Sequence, residues 1–579
     1  MRAFPVATFK NVPNAAPRPG LSLGYSLIRR YSHADRHPMH QTLSDVKGKT
    51  DQYALVQSRG MIEILNTTDG LHALSRFTSG RWLWREQQQL ACRYVKFELQ
   101  ELLGIAASVV AAQSCARVLK TSEGQYNKVF LLTMDNGREI VAKLPNPNAG
   151  RPHFTTASEV ATMDFLRNVL NLPVPQVYAW SSRVTGNPVG AEYILMEKQT
   201  GVMLSDILAA TKFNGFGSLY YKVDIHSSVD TSPLYVDNSG KEVQSTKFAI
   251  GPTNHRAFFD FGRGLLDIDR GPWTSAVEFA TAVAKREIAT VKSELKYPLM
   301  PEGLFYGPRQ YQPIAAKKLS TLHNYLKVAP YTLPENSATH ASVLWHGDLN
   351  LQNIFVDPKE STRILGIIDW QPVSLSPLFT QATRPAFLEY NGPLPETLDK
   401  VRLPENFESL NPAEQQKAKA LHQAQTLHNL YLARTRQINP VVFEGQKTLR
   451  HQVSVIPGLT IMDYGPCLNS LLRDIQKEWP SIVGKGLDEA SSIPCPLQFS
   501  AHEVQEQERD EELWAQGVGL MEEFTGDTGC FKHWDGRVNE QDYDLSRKQL
   551  DEGVERFLQR EARNEEERKE WLEALPFVD

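Results

Sequence analysis

The sequence predicts an α+β protein of two lobes, a small antiparallel sheet followed by a larger, mainly helical lobe, with an extension at each end. The 579 residues, 41% hydrophobic and 22% charged, suffice for more than one core. Residues 97–198 contain short strand-like runs separated by turn signals, with one helical run among them. Residues 199–500 leave room for the larger lobe, which includes an insertion at 210–255 with short β-like runs.

The small lobe is predicted from the order of these runs. Asp135-Asn136-Gly137 is the signal of a tight turn between two strands. Pro173 and Pro175 end the helical run that precedes the last strands. The expected elements are a helix from about 97, strands at 118–120, 128–134 and 139–144, a helix at 155–171 and strand structure at 189–197.

The N-terminal residues differ in composition from the rest of the chain. Residues 1–34 contain five arginine and lysine residues and no acidic residue, which is typical of a mitochondrial presequence. Arg29-Arg30-Tyr31-Ser32 resembles a processing site of the mitochondrial matrix. Several prolines would interrupt an amphipathic helix here, so a disordered basic N-terminus is the alternative. We expect a matrix protein in which residues 35–96 form an ordered extension.

The C-terminal residues 501–579 are rich in Glu, Gln, Lys and Arg. Leu550, Val554, Phe557 and Leu558 fall on one face of a predicted helix. This face indicates a helix packed on the protein itself or, as the alternative, a helix that binds a protein partner.

Charge and cysteine content argue against several other classes. The net charge is −5 and no basic block occurs, so nucleic-acid binding is not expected. Five widely spaced cysteines predict neither a disulfide framework nor a paired zinc site. No run of about 18 apolar residues occurs, so no transmembrane segment is expected.

The residues that carry chemistry are predicted to lie on one hairpin. If strands at 354–356 and 364–368 pair antiparallel, their open end brings Asn353 and Asp369 side by side. An amide oxygen and a carboxylate are hard ligands that suit Mg²⁺, which completes its shell with water and nucleotide phosphates. We therefore expect these two residues to be metal ligands.

Two further residues precede the hairpin in His346-Gly347-Asp348. Asp348 would accept the proton of an attacking hydroxyl, because its spacing to Asn353 matches that of a kinase catalytic loop. His346 would brace this loop. The alternative is that Asp348 and Asn353 only cap turns.

The predicted small lobe carries the nucleotide-binding candidates. A strand lysine, Lys143, can reach nucleotide phosphates if a carboxylate of the next helix holds it. Glu159 is the expected partner and Asp164 the second choice. The turn at 122–127 could approach phosphates through its backbone, with Gly124 and Asn127 as candidate contacts, although a plain hairpin turn explains it almost as well.

These motifs resemble the aminoglycoside phosphotransferase and choline kinase group of enzymes with a protein-kinase-like fold. His-Gly-Asp followed by Asn and by Ile-Ile-Asp-Trp is found here at 346–353 and 367–370. The chain resembles the fungal altered inheritance of mitochondria protein 9 group more closely, over most of residues 70–480. The segments that carry this second resemblance are Thr78–Trp84, Gly124–Phe130, Val141–Ser158 and Leu266–Trp273.

The resemblance implies ATP between the lobes, with the adenine near a linker at 195–198 that includes Glu197 and Lys198. It does not supply the acceptor. Gln371 stands where protein kinases have the Gly of Asp-Phe-Gly, and no Ala-Pro-Glu segment follows. Transfer to a hydroxyl of a small molecule is therefore favoured. A nucleotide-binding pseudokinase or scaffold is the second hypothesis, and transfer to a protein side chain is the third.

Overall fold

The computed structural model confirms the predicted α+β fold of two lobes. It describes residues 62–63, 74–121, 123–198, 211–225, 233–237, 239–295, 307–334, 336–357, 364–371, 373–382, 384–385, 388, 401–404, 406–445, 453, 456–483, 493–529 and 536–575. The predicted presequence 1–34 lies outside these residues, as does most of the first half of the N-terminal extension.

The small lobe is built on a six-stranded antiparallel sheet. Its strands are β1 (Ile62–Glu63), β3 (Cys115–Lys120), β4 (Asn127–Met134), β5 (Glu139–Pro145), β6 (Val177–Ser181) and β7 (Tyr193–Glu197). Their order across the sheet is β1-β3-β4-β5-β7-β6. Its helices are α2 (Leu99–Val109) and α3 (Phe154–Asn168). The predicted tight turn joins β4 to β5, where Gly137 takes a positive φ of 78°.

The last two strands of this sheet differ from the prediction. β7 begins at Tyr193 and not at residue 189. β6, whose residues were not predicted to form a strand, lies at the edge of the sheet. The side chain of Asn187 accepts from the Val189 N–H and donates to the Ala191 carbonyl. These local bonds hold residues 187–191 as a loop, so the apolar run enters the sheet later than its composition suggests.

Alternation along the strands gives the sheet two different faces. Phe130, Leu132 and Ile140 point to the outer face and pack against helix α2 in one hydrophobic cluster. The opposite face carries Lys143, which lies directly across from Val129 on β4. Because side chains alternate between faces, Lys143 is directed toward the larger lobe and away from α2.

The larger lobe is mainly helical. Its helices are α4 (Ala276–Lys292), α5 (Ala315–Val328), α6 (Leu378–Gln381), α7 (Pro412–Ile438), α8 (Pro440–Gly445) and α9 (Gly465–Ile482). Its strands are β8 (Lys212–Phe213), β9 (Ser218–Tyr221), β10 (Tyr235–Val236), β11 (Glu242–Val243), β12 (Phe248–Gly251), β13 (Ser342–Leu344), β14 (Ile354–Val356), β15 (Ile364–Ile367) and β16 (Leu375–Pro377). No helix in the described part of the chain is long and apolar enough to span a membrane.

A hydrophobic cluster joins the two lobes. Ile194 and Met196 of β7 share this cluster with Leu344 and Ile367 of the larger lobe. The predicted insertion contributes as well, because β9 pairs with β12 and packs against α3. Trp273, by contrast, is buried in a separate cluster with Phe216 and Phe258 and is a core residue.

The two terminal extensions pack against each other. They contain β2 (Arg81–Trp82), α1 (Glu86–Ala91), α10 (Ala501–Thr528), β17 (Arg537–Val538), α11 (Tyr543–Glu561) and α12 (Glu565–Ala574). Helix α10 begins with a capping box in which the Ser500 hydroxyl accepts from the Glu503 N–H. The predicted apolar face of α11 packs inside a cluster that includes Leu83, Trp84 and Trp571. This arrangement favours the packed helix over the partner-binding helix.

Candidate active site

The hairpin predicted to carry the metal ligands is present. β14 and β15 pair antiparallel, with Ile354 opposite Ile367. At the open end, the Ile368 N–H donates to the Asn353 carbonyl at 3.0 Å. Asn353 therefore enters one strand beside the point where Asp369 leaves the other.

Hydrogen bonds fix the loop that precedes this hairpin. The Asn350 side chain accepts from the backbone N–H groups of Gln352 and Asn353 and begins a short 3₁₀ turn. The amide nitrogen of buried Asn353 donates to the Asp348 carbonyl at 2.8 Å. Asp348 is thus held at the edge of the site with its side chain only partly buried.

His346 connects this loop to residues 368–370. Its Nε2 lies 2.9 Å from the carbonyl oxygen of Ile368, so this nitrogen carries the donated proton. Its buried ring meets Trp370 edge-on, with the centroids 4.7 Å apart. The residues on both sides of Asp369 are therefore held by one histidine, which fits the bracing role expected for it.

Lys143 lies between two carboxylates. Its Nζ is 2.6 Å from Glu159 Oε1 on α3 and 3.0 Å from Asp369 Oδ1. Burial opposes the ammonium form, but the two carboxylates outweigh burial and raise the pKa of Lys143. Burial also raises the pKa of Glu159, although the Lys143 ammonium partly offsets that effect.

The second-choice partner of Lys143 was wrong. Asp164 accepts hydrogen bonds from the Tyr221 hydroxyl and the Asn168 amide, and it pairs with Lys247. Asp164 follows Glu159 by five positions, which turns it about 140° around the helix. It therefore faces the insertion strands and away from the cleft.

Asp369 has an unusual backbone conformation, with a φ of +63°. Aspartate is among the few residues other than glycine that tolerate this left-handed region. Such strain persists where the surroundings fix it, and it is concentrated at functional sites. Here the bond from His346 to Ile368 and the buried Trp370 hold the residue on each side of Asp369.

Gln371, which the sequence interpretation noted only as a departure from glycine, joins the two lobes. It is buried, and its Oε1 accepts from the Asn127 amide at 3.1 Å. Its Nε2 donates to the Ala149 carbonyl at 2.7 Å. Asn127 Oδ1 is buried and has no hydrogen-bond partner among the described residues. The only sequence signal for Gln371 was a polar residue immediately after the Ile-Ile-Asp-Trp motif.

The remaining predicted nucleotide contacts lie at two places. Gly124 lies in the β3–β4 loop, where a Cβ would meet nothing within 4 Å. Glu197 pairs with Arg167 at 2.9 Å, and Lys198 pairs with Glu139. The Glu197 side chain is thus paired with α3, and the Lys198 side chain is paired with β5. If an adenine lies here as the resemblance implies, the backbone of residues 197–198 is the part available to it.

Comparison with known proteins agrees with this architecture. A model of a phosphotransferase enzyme family matches residues 253–380, which include His346, Asp348, Asn353 and Asp369. A subtelomeric hrmA-associated cluster protein of Aspergillus fumigatus is 32% identical over 70% of this chain and 86% of its own length. The chain belongs to the phosphotransferase enzyme family and is a kinase-like phosphotransferase.

Within this family the chain is also similar to altered inheritance of mitochondria protein 9, mitochondrial, of Yarrowia lipolytica. The two are 25% identical over 77% of this chain and 82% of the relative. Among solved structures, macrolide 2'-phosphotransferase type I matches 65% of this chain and 96% of its own, with 14% identity and a TM-score of 0.22.

Proposed function

We propose that the protein transfers the γ-phosphoryl group of ATP to a hydroxyl of a small molecule, with Mg²⁺ bound at Asn353 and Asp369. The observation that carries this proposal is the position of Lys143, whose ammonium bridges Glu159 and Asp369 between the lobes. A buried lysine held by a helix carboxylate next to a metal-ligand aspartate is the arrangement that secures nucleotide phosphates in kinases.

The residues present fit a magnesium ion. The Asn353 amide nitrogen is engaged with the Asp348 carbonyl, so its Oδ1 remains as the ligand atom beside the Asp369 carboxylate. An amide oxygen and a carboxylate suit Mg²⁺, which uses one or two protein oxygens together with phosphates and water. When bound, Mg²⁺ would neutralise charge that develops on the phosphate oxygens.

Asp348 would orient the acceptor hydroxyl and accept its proton. Its carbonyl is fixed by Asn353 and its Oδ1 accepts from the Asn350 amide at 3.2 Å. The carboxylate is only partly buried, so an acceptor molecule can approach it. Positioning of this kind, together with electrostatic stabilisation, supplies most of the rate enhancement in phosphoryl transfer.

Lys143 would exchange part of its pairing when the nucleotide enters. Its bond to Glu159 keeps the ammonium at the end of β5, whereas Asp369 is about one third exposed and is the partner it can release. Glu159 is buried in helix α3 and therefore holds the charge in place throughout. The Gly124 backbone and the Asn127 side-chain amide would contact the nucleotide phosphates from the small lobe.

We further infer a mitochondrial location, in the matrix, from the basic composition of residues 1–34 and from the mitochondrial names of relatives. A small-molecule acceptor is supported by the family and by Gln371, which stands where protein kinases have the glycine of Asp-Phe-Gly. The location would be tested by fractionating cells that express the full chain.

The experiment that tests the transfer activity compares the wild type with Asp348→Asn. We expect ADP release from Mg·ATP across a panel of hydroxylated metabolites for the wild type, and a loss of about 10²–10⁴-fold for the variant. Asp474→Asn, at a partly exposed position of α9 outside the site, is the matched control and should retain wild-type turnover. Calorimetric binding of Mg·ATP without turnover of any acceptor would favour the pseudokinase instead.

A further inference from the structure

The described part of the β3–β4 loop, residue 121 and residues 123–126, lies over a buried group of three charges. Lys120 and Lys128, on the two strands beside the loop, both pair with Glu123 inside it. All three side chains are no more than 2% exposed. Burying charges is costly unless each is paired and hydrogen-bonded, so this group needs further partners.

Those partners come from the N-terminal extension. The Arg76 carbonyl accepts from both lysine ammonium groups, at 2.7 Å and 3.0 Å. The Thr78 N–H donates to the Glu123 carboxylate at 2.7 Å, and the Thr78 hydroxyl donates to it at 3.2 Å. The Ser79 hydroxyl accepts from the Glu123 N–H at 2.7 Å. Residues 76–79 thus satisfy both the side chain and the backbone of Glu123.

The C-terminal extension holds these residues in place. β2 and β17 form a terminal strand pair in which Trp82 lies opposite Arg537. Gly80 packs so closely that an added Cβ would lie 2.5 Å from the Val538 carbonyl oxygen, and its φ is +137°. Arg537 also donates directly to the Glu123 carbonyl at 3.3 Å. Both ends of the chain therefore meet at one residue of the loop.

We propose that Glu123 is a positioning residue through which the two terminal extensions hold the β3–β4 loop in its nucleotide-binding shape. Glu123 is next to Gly124, whose backbone is the proposed phosphate contact, and its own side chain is buried beneath the loop. Fixing the Glu123 N–H, carbonyl and carboxylate leaves the loop little freedom to move. The loop has one glycine where protein kinases use three, and the extensions replace the order that a longer motif would supply.

This inference rests on the proposed ATP binding, so its test needs a readout that does not require ATP. Hydrogen exchange of the loop amides reports on the fixation of the loop itself. Ser79→Ala removes the acceptor of the Glu123 N–H and leaves the buried charges intact. Loss of one hydrogen bond should speed exchange of the loop amides about fivefold and raise the apparent Kd for Mg·ATP by a similar factor.

A second variant guards against misfolding as the explanation. Glu123→Gln keeps the shape of the side chain but leaves two buried ammonium groups without a carboxylate. Lys128→Met in the same chain removes one of those charges and should recover thermal stability. The double variant should still bind Mg·ATP somewhat more weakly than the wild type, because a neutral amide is a weaker acceptor for Thr78 than the carboxylate, while the bonds from Ser79 and Arg537 to the backbone of residue 123 remain. Ser108→Ala, exposed on α2, is the control and should change neither readout.

The kinetics separate a positioning role from a general structural one. Once an acceptor has been identified, steady-state kinetics can be measured. Ser79→Ala should then raise the KM for ATP while kcat and the KM for the acceptor stay unchanged. Unchanged loop exchange in Ser79→Ala would overturn the inference whether or not the protein binds ATP. If exchange accelerates while the wild type binds no nucleotide, the proposed function fails and the loop's attachment to the extensions stands.

Discussion

Replacing Lys143 with methionine tests the bridge between the lobes. Methionine keeps the length of the side chain but leaves Glu159, 5% exposed, without its cation. Removing one partner of a buried ion pair costs about 3–5 kcal/mol of unfolding free energy. Burial already raises the pKa of Glu159, and loss of the lysine raises it further, so Glu159 would take up a proton. This uptake limits the loss of stability at low pH.

The sign of the pH effect follows from this proton. In Lys143→Met the native state holds a proton on Glu159 that the unfolded chain has already released above its ordinary pKa of about 4.3. Stability is therefore retained below that pKa and is lost as the pH rises through the raised native value. The deficit relative to the wild type should be smallest at about pH 4 and should grow toward neutral pH.

Urea unfolding at several pH values measures this deficit, and ADP release measures the catalytic effect. We expect turnover to fall by about 10²–10³-fold, as when a donor to developing charge is removed. Lys143→Met/Glu159→Leu removes both buried charges and should recover most of the stability but none of the turnover. Wild-type turnover in the single variant, or a deficit independent of pH, would refute the reasoning.

Three further variants test separate parts of the structure. Asp369→Asn should abolish Mg²⁺-dependent turnover, and a Mg²⁺ titration that matches the wild type would exclude it as a ligand. Gln371→Ala removes two of the hydrogen bonds between the lobes and should raise the KM for ATP about tenfold, with kcat little changed, in steady-state assays. Phe557→Ala leaves a void between Phe524 and Trp571 and should lower the unfolding free energy by about 3–5 kcal/mol in urea, whereas exposed Leu545→Ala should not.

The sequence was most informative where the contacts are local. The hairpin that ends in Asn353 and Asp369 could be predicted because its two strands are consecutive and apolar. Lys143 and Glu159 lie on consecutive elements, so their contact could be proposed without knowledge of the rest. Choosing between Glu159 and Asp164 required the rotation of α3 relative to the sheet, which helical periodicity alone does not give.

Contacts between distant parts of the chain left no such signal. Asn127 and Gln371 are 244 positions apart, and neither residue type indicates a partner in the other lobe. The same holds for Glu123, because a glutamate in a turn between two strands is ordinarily a solvated residue. Its burial depends on the residues around Thr78, whose position is set by β17 near the other end of the chain.

The terminal strand pair also sets the order in which the molecule can be completed. Glu123 and Arg537 are separated by 414 positions, and β2 cannot pair with β17 until residues 537–538 have left the ribosome. Contacts of such long sequence separation form late, because the intervening chain must first be ordered. The small-lobe sheet can therefore fold early during synthesis. Its β3–β4 loop gains its full set of bonds only when almost all of the polypeptide has been made, so a chain that stops short of β17 lacks the bond from Arg537 to Glu123.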